Sequence, residues 1–225
     1  MVISQANARK NTARNKMPAP STLPGRRERR AAQTRVKLFR SALRLIAKQG
    51  LNNVTVEDIT EAADVGKGTF FNYFESKEHV LGVMAEIQLG KIREAAAQSG
   101  QGTRPIRPVL QRLILKLAEE PGRNPRMARA LLSLFLASRD VRGIVLAHMH
   151  EGRKVIASLI AWGQERGEID NKLRKDQVAK QFFQSFLGTV LLWSLEERPA
   201  LKTSAGQTFD QFWKSIAAPG KGKKR

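Results

Sequence analysis

The stretch Lys67–Glu78, KGTFFNYFESKE, places four aromatic rings in five positions, Phe70, Phe71, Tyr73 and Phe74, in a chain with only ten Phe and one Tyr. A helix laid on a core can use Phe70 and Phe74, because positions i and i+4 lie on one helix face. It has no such use for Phe71, Asn72 and Tyr73, which fall on the opposite side. That second face is expected to meet something outside the fold.

Working outward, Thr55 is a good N-cap, and Asp58 three residues later completes a capping-box pair with acids at the positive helix end. A short helix is therefore expected over about 56–63. Asp64-Val65-Gly66 breaks the pattern, and a second short helix follows from about Lys67 to Phe74. Upstream, Val36, Phe39, Leu43 and Ile46 recur at steps of 3, 4 and 3, one face of a helix that starts near Arg26. Gly50 stands where a residue with positive φ usually ends a helix. Two short helices joined by a tight turn after a longer supporting helix describe a helix-turn-helix. In that geometry Val65, Phe70 and Phe74 face inward. Lys67, Thr69, Phe71, Asn72 and Tyr73 point outward, where a major groove would lie. Rings and hydroxyls there can pack on sugar-phosphate and thymine methyls.

Charge agrees with such a partner. The chain of 225 residues has 40 Lys and Arg against 20 Asp and Glu, a formal charge of +20, which favours a polyanion, nucleic acid or an anionic membrane surface. Residues 1–50 hold 13 basic residues and one acid, whereas residues 51–100 hold 4 and 8. Residues 1–25, with Pro18, Pro20 and Pro24, read as a disordered basic arm, and the end, 219–225, as a basic tail. There is no Cys, hence no disulfide, thiolate metal site or Cys nucleophile, which fits a reducing compartment. No apolar run reaches the ~18–20 residues of a membrane-spanning helix, and the N-terminal segment lacks a signal-type apolar core.

The rest reads as helices between capped breaks. One runs from Ser76 to about Gln98, and another starts at Thr103. A third opens on Asn124-Pro125, an N-cap and N1 pair. A fourth is capped by Asp140 and reaches Gly167; two more span about Leu173–Glu197 and Ser204–Ala217. Strand patterns are almost absent. The expected fold is all-α with about nine helices: a helix-turn-helix domain over 26–75 and a larger helical ligand-binding and dimerisation domain over 76–218.

The segment TRVKLFRSALRLIAKQGLNNVTVEDITEAADVGKGTFFNYFESKEHVL resembles the N-terminal DNA-binding domain of TetR-type transcriptional regulators over about fifty residues. It ends in their aromatic-rich recognition helix and F-x-S-K-E. LIAWGQERGEI, and the following QVAKQFFQSFLGTVLLWSL, are similar to the junction of the seventh and eighth helices of such proteins. Three positions depart from the family pattern. Asp64 replaces Gly in the turn, Gly66 replaces a capping Ser or Thr, and Phe71 replaces a Tyr that reaches a phosphate. Carried over position by position, the resemblance implies DNA-binding roles for Thr34 and Thr55 at helix starts, for Lys67, Gly68, Thr69, Phe71, Asn72 and Tyr73 along the recognition helix, and for Lys77 after it. Asn72 is the candidate for a base edge, since an amide can pair bidentately with adenine; its alternative is one more phosphate contact.

The resemblance further implies a homodimeric, cytoplasmic, nucleoid-associated repressor. It would sit on an inverted repeat of double-stranded DNA until an apolar or aromatic effector enters a pocket among the fourth to eighth helices. An activator or a non-specific nucleoid-type protein are the alternatives on the same head. The last two helices hold more apolar surface than one subunit needs, so Phe182, Phe186, Val190 and Trp193, with Phe209, Phe212 and Trp213, are expected at the dimer contact. No cofactor, metal site or catalytic group is expected. Phosphate-binding and dinucleotide glycine motifs are missing, and His148 and His150, at i and i+2, do not share a helix face. An enzyme in the helical pocket is disfavoured because no paired acid and base is found there. A membrane-surface binder is disfavoured because the Arg-rich 26–44 helix already has a core-facing stripe.

Overall fold

The computed structural model describes residues 25–80, 82–100 and 103–219, without the Leu51 side chain. The expected basic arm before Gly25 and the basic tail beyond Pro219 lie outside the described residues. Ten α-helical segments fill the described residues: α1 (Arg26–Gln49), α2 (Val56–Ala62), α3 (Lys67–Phe71), α4 (Lys77–Val80), α5 (Gly82–Gln98), α6 (Ile106–Leu117), α7 (Pro125–Ala137), α8 (Arg139–Glu165), α9 (Lys175–Glu196) and α10 (Leu201–Ile216). The only β pairing among the described residues is an isolated bridge between Ile169 and Ala217. The all-α fold is as expected. The helix expected over Ser76–Gln98 corresponds to α4 and α5 on either side of Leu81.

Several helix starts differ from the sequence expectation, each for a reason in the capping. Thr103 does not open α6; Pro105 does, and it has no side chain to satisfy the first amides. Those amides are served from 62 residues away: Glu168 Oε2 accepts from Ile106 N at 2.9 Å. Arg166 holds the other oxygen of Glu168 at 2.7 Å. A carboxylate at a helix N-terminus satisfies orphan donors and meets the positive end of the dipole. Asp140 is not the cap of α8. Ser138 is, its hydroxyl accepting from Val141 N at 3.3 Å, with Asp140 in the first turn. α10 begins at Leu201, three residues before Ser204. Asn124 caps α7 as expected, accepting from Arg126 N at 2.9 Å.

Two apolar cores organise the molecule. The first joins Leu38, Phe39, Ala42, Leu43 and Ile46 of α1 to Ile59, Phe70 and Phe74, then to Val83 and Met84 of α5, Leu131 and Leu134 of α7, and Val141 and Val145 of α8. Val36, expected on the buried face of α1, is only half-buried; Leu38 and Ala42 are the additional buried positions. The second core packs Ile92, α6, the C-terminal half of α8, α9 and α10, with Phe182 edge-on to Phe212 at 5.6 Å. Where α8 passes between α9 and α5 the chain has Gly152. A Cβ there would lie 2.9 Å from Phe183 Cζ and 3.0 Å from Ile92 Cδ1, closer than ordinary packing permits.

Truncating Phe182, 1% exposed, should remove roughly 3–5 kcal/mol of stability in urea unfolding. Glu168→Ala should cost about 1 kcal/mol, the worth of an N-cap, although it lies far in sequence from the helix it caps.

Candidate nucleic-acid interface and effector cavity

The helix-turn-helix head is built from two short helices, each entered through its own cap. Thr55 Oγ1 accepts from Asp58 N at 3.1 Å, and the Asp58 carboxylate accepts from Thr55 N at 2.8 Å, a reciprocal box that starts α2. The Thr55 backbone amide, and then its hydroxyl, hold the Asp58 carboxyl below its ordinary value. α2 ends in a turn at Asp64, whose φ is +49°; Asp tolerates this left-handed conformation better than most side chains. Val65 N donates to Thr60 O at 3.0 Å across the turn. Gly66 then caps α3 with ordinary extended backbone and no side-chain bond.

α3 is shorter than expected, ending at Phe71 and not at Phe74. Tyr73 N and Phe74 N both donate to Phe70 O, at 2.9 and 3.0 Å, so the chain tightens into a turn. The turn carries the Phe74 ring under α1, where the Arg35 guanidinium lies 5.7 Å from its centroid. Phe70 and Phe74 are buried and Val65 is half-buried. On the other side Lys67, Gly68 and Asn72 are exposed, and the Phe71 ring is 52% exposed. Thr69 and Tyr73 are half-buried, Tyr73 packing on the head core. α1 contributes exposed Arg26, Arg27, Arg29, Arg30, Lys37, Arg40 and Arg44.

Three expected contact residues have occupations of their own. Lys67 is ion-paired with Glu57, and this hydrogen bond is the main cause of the lowered Glu57 pKa. Lys77 Nζ donates to Val54 O at 2.9 Å, tying the start of α4 to the loop before α2. Thr34 is not at a helix start. It lies within α1, its hydroxyl turned back to Arg30 O at 3.0 Å, the usual bond of a mid-helix Thr.

The residues expected at a dimer contact lie inside the subunit. Phe182, Phe186, Val190, Trp193, Phe209 and Phe212 are each no more than 7% exposed, inside the subunit's own core. Trp213 is half-buried, stacked on Phe209 and beside Arg107. α9 is covered by α7, α8 and α10 on its aromatic side, so its surplus apolar surface is the other one, where Leu191, Leu192 and Leu195 are 47%, 57% and 63% exposed. Gly188 shares this face, and the place of its missing Cβ is open.

Between the two cores lies a cavity of about 110 Å³. Its walls come from α5 (Met84, Gln88, Ile92), the end of α6 (Leu117), α7 (Leu131, Phe135), α8 (Val145, His148, Met149) and α9 (Phe183, Phe186, Val190). Among the described residues Gln88 and His148 are its only polar side chains, with no Lys, Arg, Asp or Glu on the wall. His150, two residues on, is exposed, so the two histidines do face apart. No helix of the described residues is long and apolar enough to cross a membrane.

Residues 38–84 match the family model of bacterial regulatory proteins, tetR family, a span that runs from the first buried residue of α1 into α5. Over this span the head matches that of the TetR family. The HTH-type transcriptional regulator TcmR of Streptomyces glaucescens is 49% identical over 57 residues, a quarter of each chain. The HTH-type transcriptional repressor DhaR of Mycobacterium sp. (strain GP1) is 26% identical over 72% of this chain and 83% of its own. The fold also matches the SmeT–triclosan complex, with a TM-score of 0.68 at 17% identity, over 84% of this chain and 93% of that one.

Within this TetR-family head, sequence reading missed Arg35, which bonds Glu86 of α5 at 2.9 Å and so ties α1 to the helix lining the cavity. It also missed Gln88, because one amide in a helix gives no signal until the cavity is seen.

Asp64→Gly should leave the head as stable as before, whereas Asp64→Val, forced to positive φ, should destabilise it by roughly 1–2 kcal/mol. Thr55→Ala should cost about 1 kcal/mol. Because the folded state lowers the Asp58 pKa, the box stabilises above the unfolded Asp range. That gain disappears as pH falls through the folded value. The stability gap between wild type and Asp58→Asn should therefore be constant near neutrality and close below about pH 4 in acid unfolding curves.

Proposed function

We propose that two copies of this chain form a repressor that sits on a near-palindromic operator and leaves it when a small apolar molecule fills the cavity. The carrying observation is the position of that cavity. Met84, Leu131 and Val145 belong to the head's core and also line it, while Ile92, Leu117, Phe186 and Val190 belong to the second core and line its other walls. A molecule entering there pushes apart the side chains that fix the head on the body. Close-packed interiors answer such a push by moving between discrete arrangements. In a dimer this alters the spacing of the two heads, and only one spacing fits successive major grooves. Effector and operator then oppose each other by one shared factor. DhaR's name as a repressor and SmeT's complex with triclosan support this reading.

In this scheme α3 enters the major groove. Thr55, Lys67, Gly68, Thr69, Phe71 and Tyr73 lie along sugar-phosphate and groove wall, and Asn72, whose amide has no hydrogen bond among the described residues, reads a base. Lys67 exchanges Glu57 for a phosphate, an easy exchange because exposed ion pairs are weak. The exposed arginines of α1 supply sequence-independent attraction. The second copy covers Leu191, Leu192 and Leu195, its helix approaching closely at Gly188. Such a protein binds and releases without making or breaking bonds, and it works at the nucleoid in a bacterial cytoplasm.

Selection from random duplexes at moderate salt should return an inverted repeat; equal affinity for all duplexes would leave only non-specific coating. Asn72→Ala should weaken the selected site by roughly 1–3 kcal/mol and random DNA less. Lys67→Ala should weaken both alike and lower the salt slope by about one. Leu191→Glu with Leu195→Glu should give a helical monomer in light scattering that no longer holds the operator. Dimers surviving that change would place the contact elsewhere.

A further inference from the structure

The cavity's two polar side chains specify a chemistry, and the proposal built on them rests on the ligand-release reading above. Gln88 Nε2 donates to Leu117 O at 2.9 Å. Leu117 is the last residue of α6, where the carbonyl lacks a partner within the helix. A carbonyl only accepts, so this bond fixes which end of the amide is which. Gln88 Oε1 is left buried with no hydrogen-bond partner among the described residues. His148 Nδ1 lies 2.8 Å from Ile144 O. The same logic makes Nδ1 the donor, so in the neutral ring Nε2 is an acceptor. Both residues line the cavity, so with the ring neutral each brings one acceptor to its surroundings, and no Lys, Arg, Asp or Glu stands among the described lining residues.

We infer that the effector is a compact, neutral, apolar molecule carrying a hydroxyl or N–H group, which donates a hydrogen bond to Gln88 Oε1, with His148 Nε2 able to accept a second. An anion finds no counter-cation on this wall, and a cation finds no carboxylate. A molecule offering only acceptors leaves Gln88 Oε1 unsatisfied in a buried place, the costly side of hydrogen-bond exchange. The space of about 110 Å³ compares with the ~150 Å³ of an engineered apolar cavity that takes benzene, so one ring or a short branched alkyl group fits.

Phenol, toluene and anisole test this on the whole chain by calorimetry, being of similar size and offering a donor, nothing polar, and an acceptor only. Phenol should bind about tenfold more tightly than either of the others, the scale of one buried hydrogen bond. In Gln88→Leu the phenol-to-toluene ratio should fall to near one, and in His148→Phe it should stay above one. Taking the ratio within each variant cancels any general loosening. If Gln88→Leu does not fold, the wild-type ratio still decides. Toluene equal to phenol, benzoate tighter than phenol, or no binding by any of the probes would overturn the inference. Operator selection by the same preparation would leave the repressor reading intact in each of those cases. Phenol binding that leaves operator affinity unchanged would uphold the ligand class and sink ligand release.

Discussion

Leu131, Leu134, Val141 and Val145 come from α7 and α8, yet they are buried in the same core as the reading head. The rest of the molecule depends on that sharing. About fifty residues of head have a small core, and small cores are marginal on their own. Borrowing apolar surface from the body gives the head its stability and removes its freedom to tilt independently. Arg35 on Glu86 adds a polar tie along the same line. The cavity lies against this shared core, so in the proposed scheme filling it would perturb the packing that orients α3.

The recognition element illustrates how little a helix needs when its surroundings decide. α3 has five residues, far below the length at which an isolated helix persists in water. It stands because Phe70 and Phe74 are buried beneath it and because Asp64 accepts a left-handed turn before it. Its outer face is left with small, polar or half-exposed groups. Positive charge sits mostly on the solvent side of α1; in the proposed scheme this separates attraction to DNA from the residues that would read bases.

The body follows another rule. α9 is apolar around most of its circumference, and α10 on one side only. α10 therefore uses its single face inside the subunit, through Phe209 and Phe212. α9 has a face left over at Leu191, Leu192 and Leu195.

Much of this was legible in the sequence because it is local. The 3.6-residue spacing of α1, the Thr55–Asp58 box, the Asn124 cap and the aromatic cluster are written within a turn or two of chain, and they carried the all-α fold and the helix-turn-helix. Periodicity also showed that α9 holds too much apolar surface. It could not say which side is surplus, because that depends on where α7, α8 and α10 pack, and the aromatic side proved to be the inner one. The cap of α6 by Glu168, the attachment of Lys77 to Val54, and the unsatisfied Gln88 oxygen were equally out of reach. Each joins groups that chain neighbours do not predict, and only the packed structure brings them within hydrogen-bond distance or shuts water away from them.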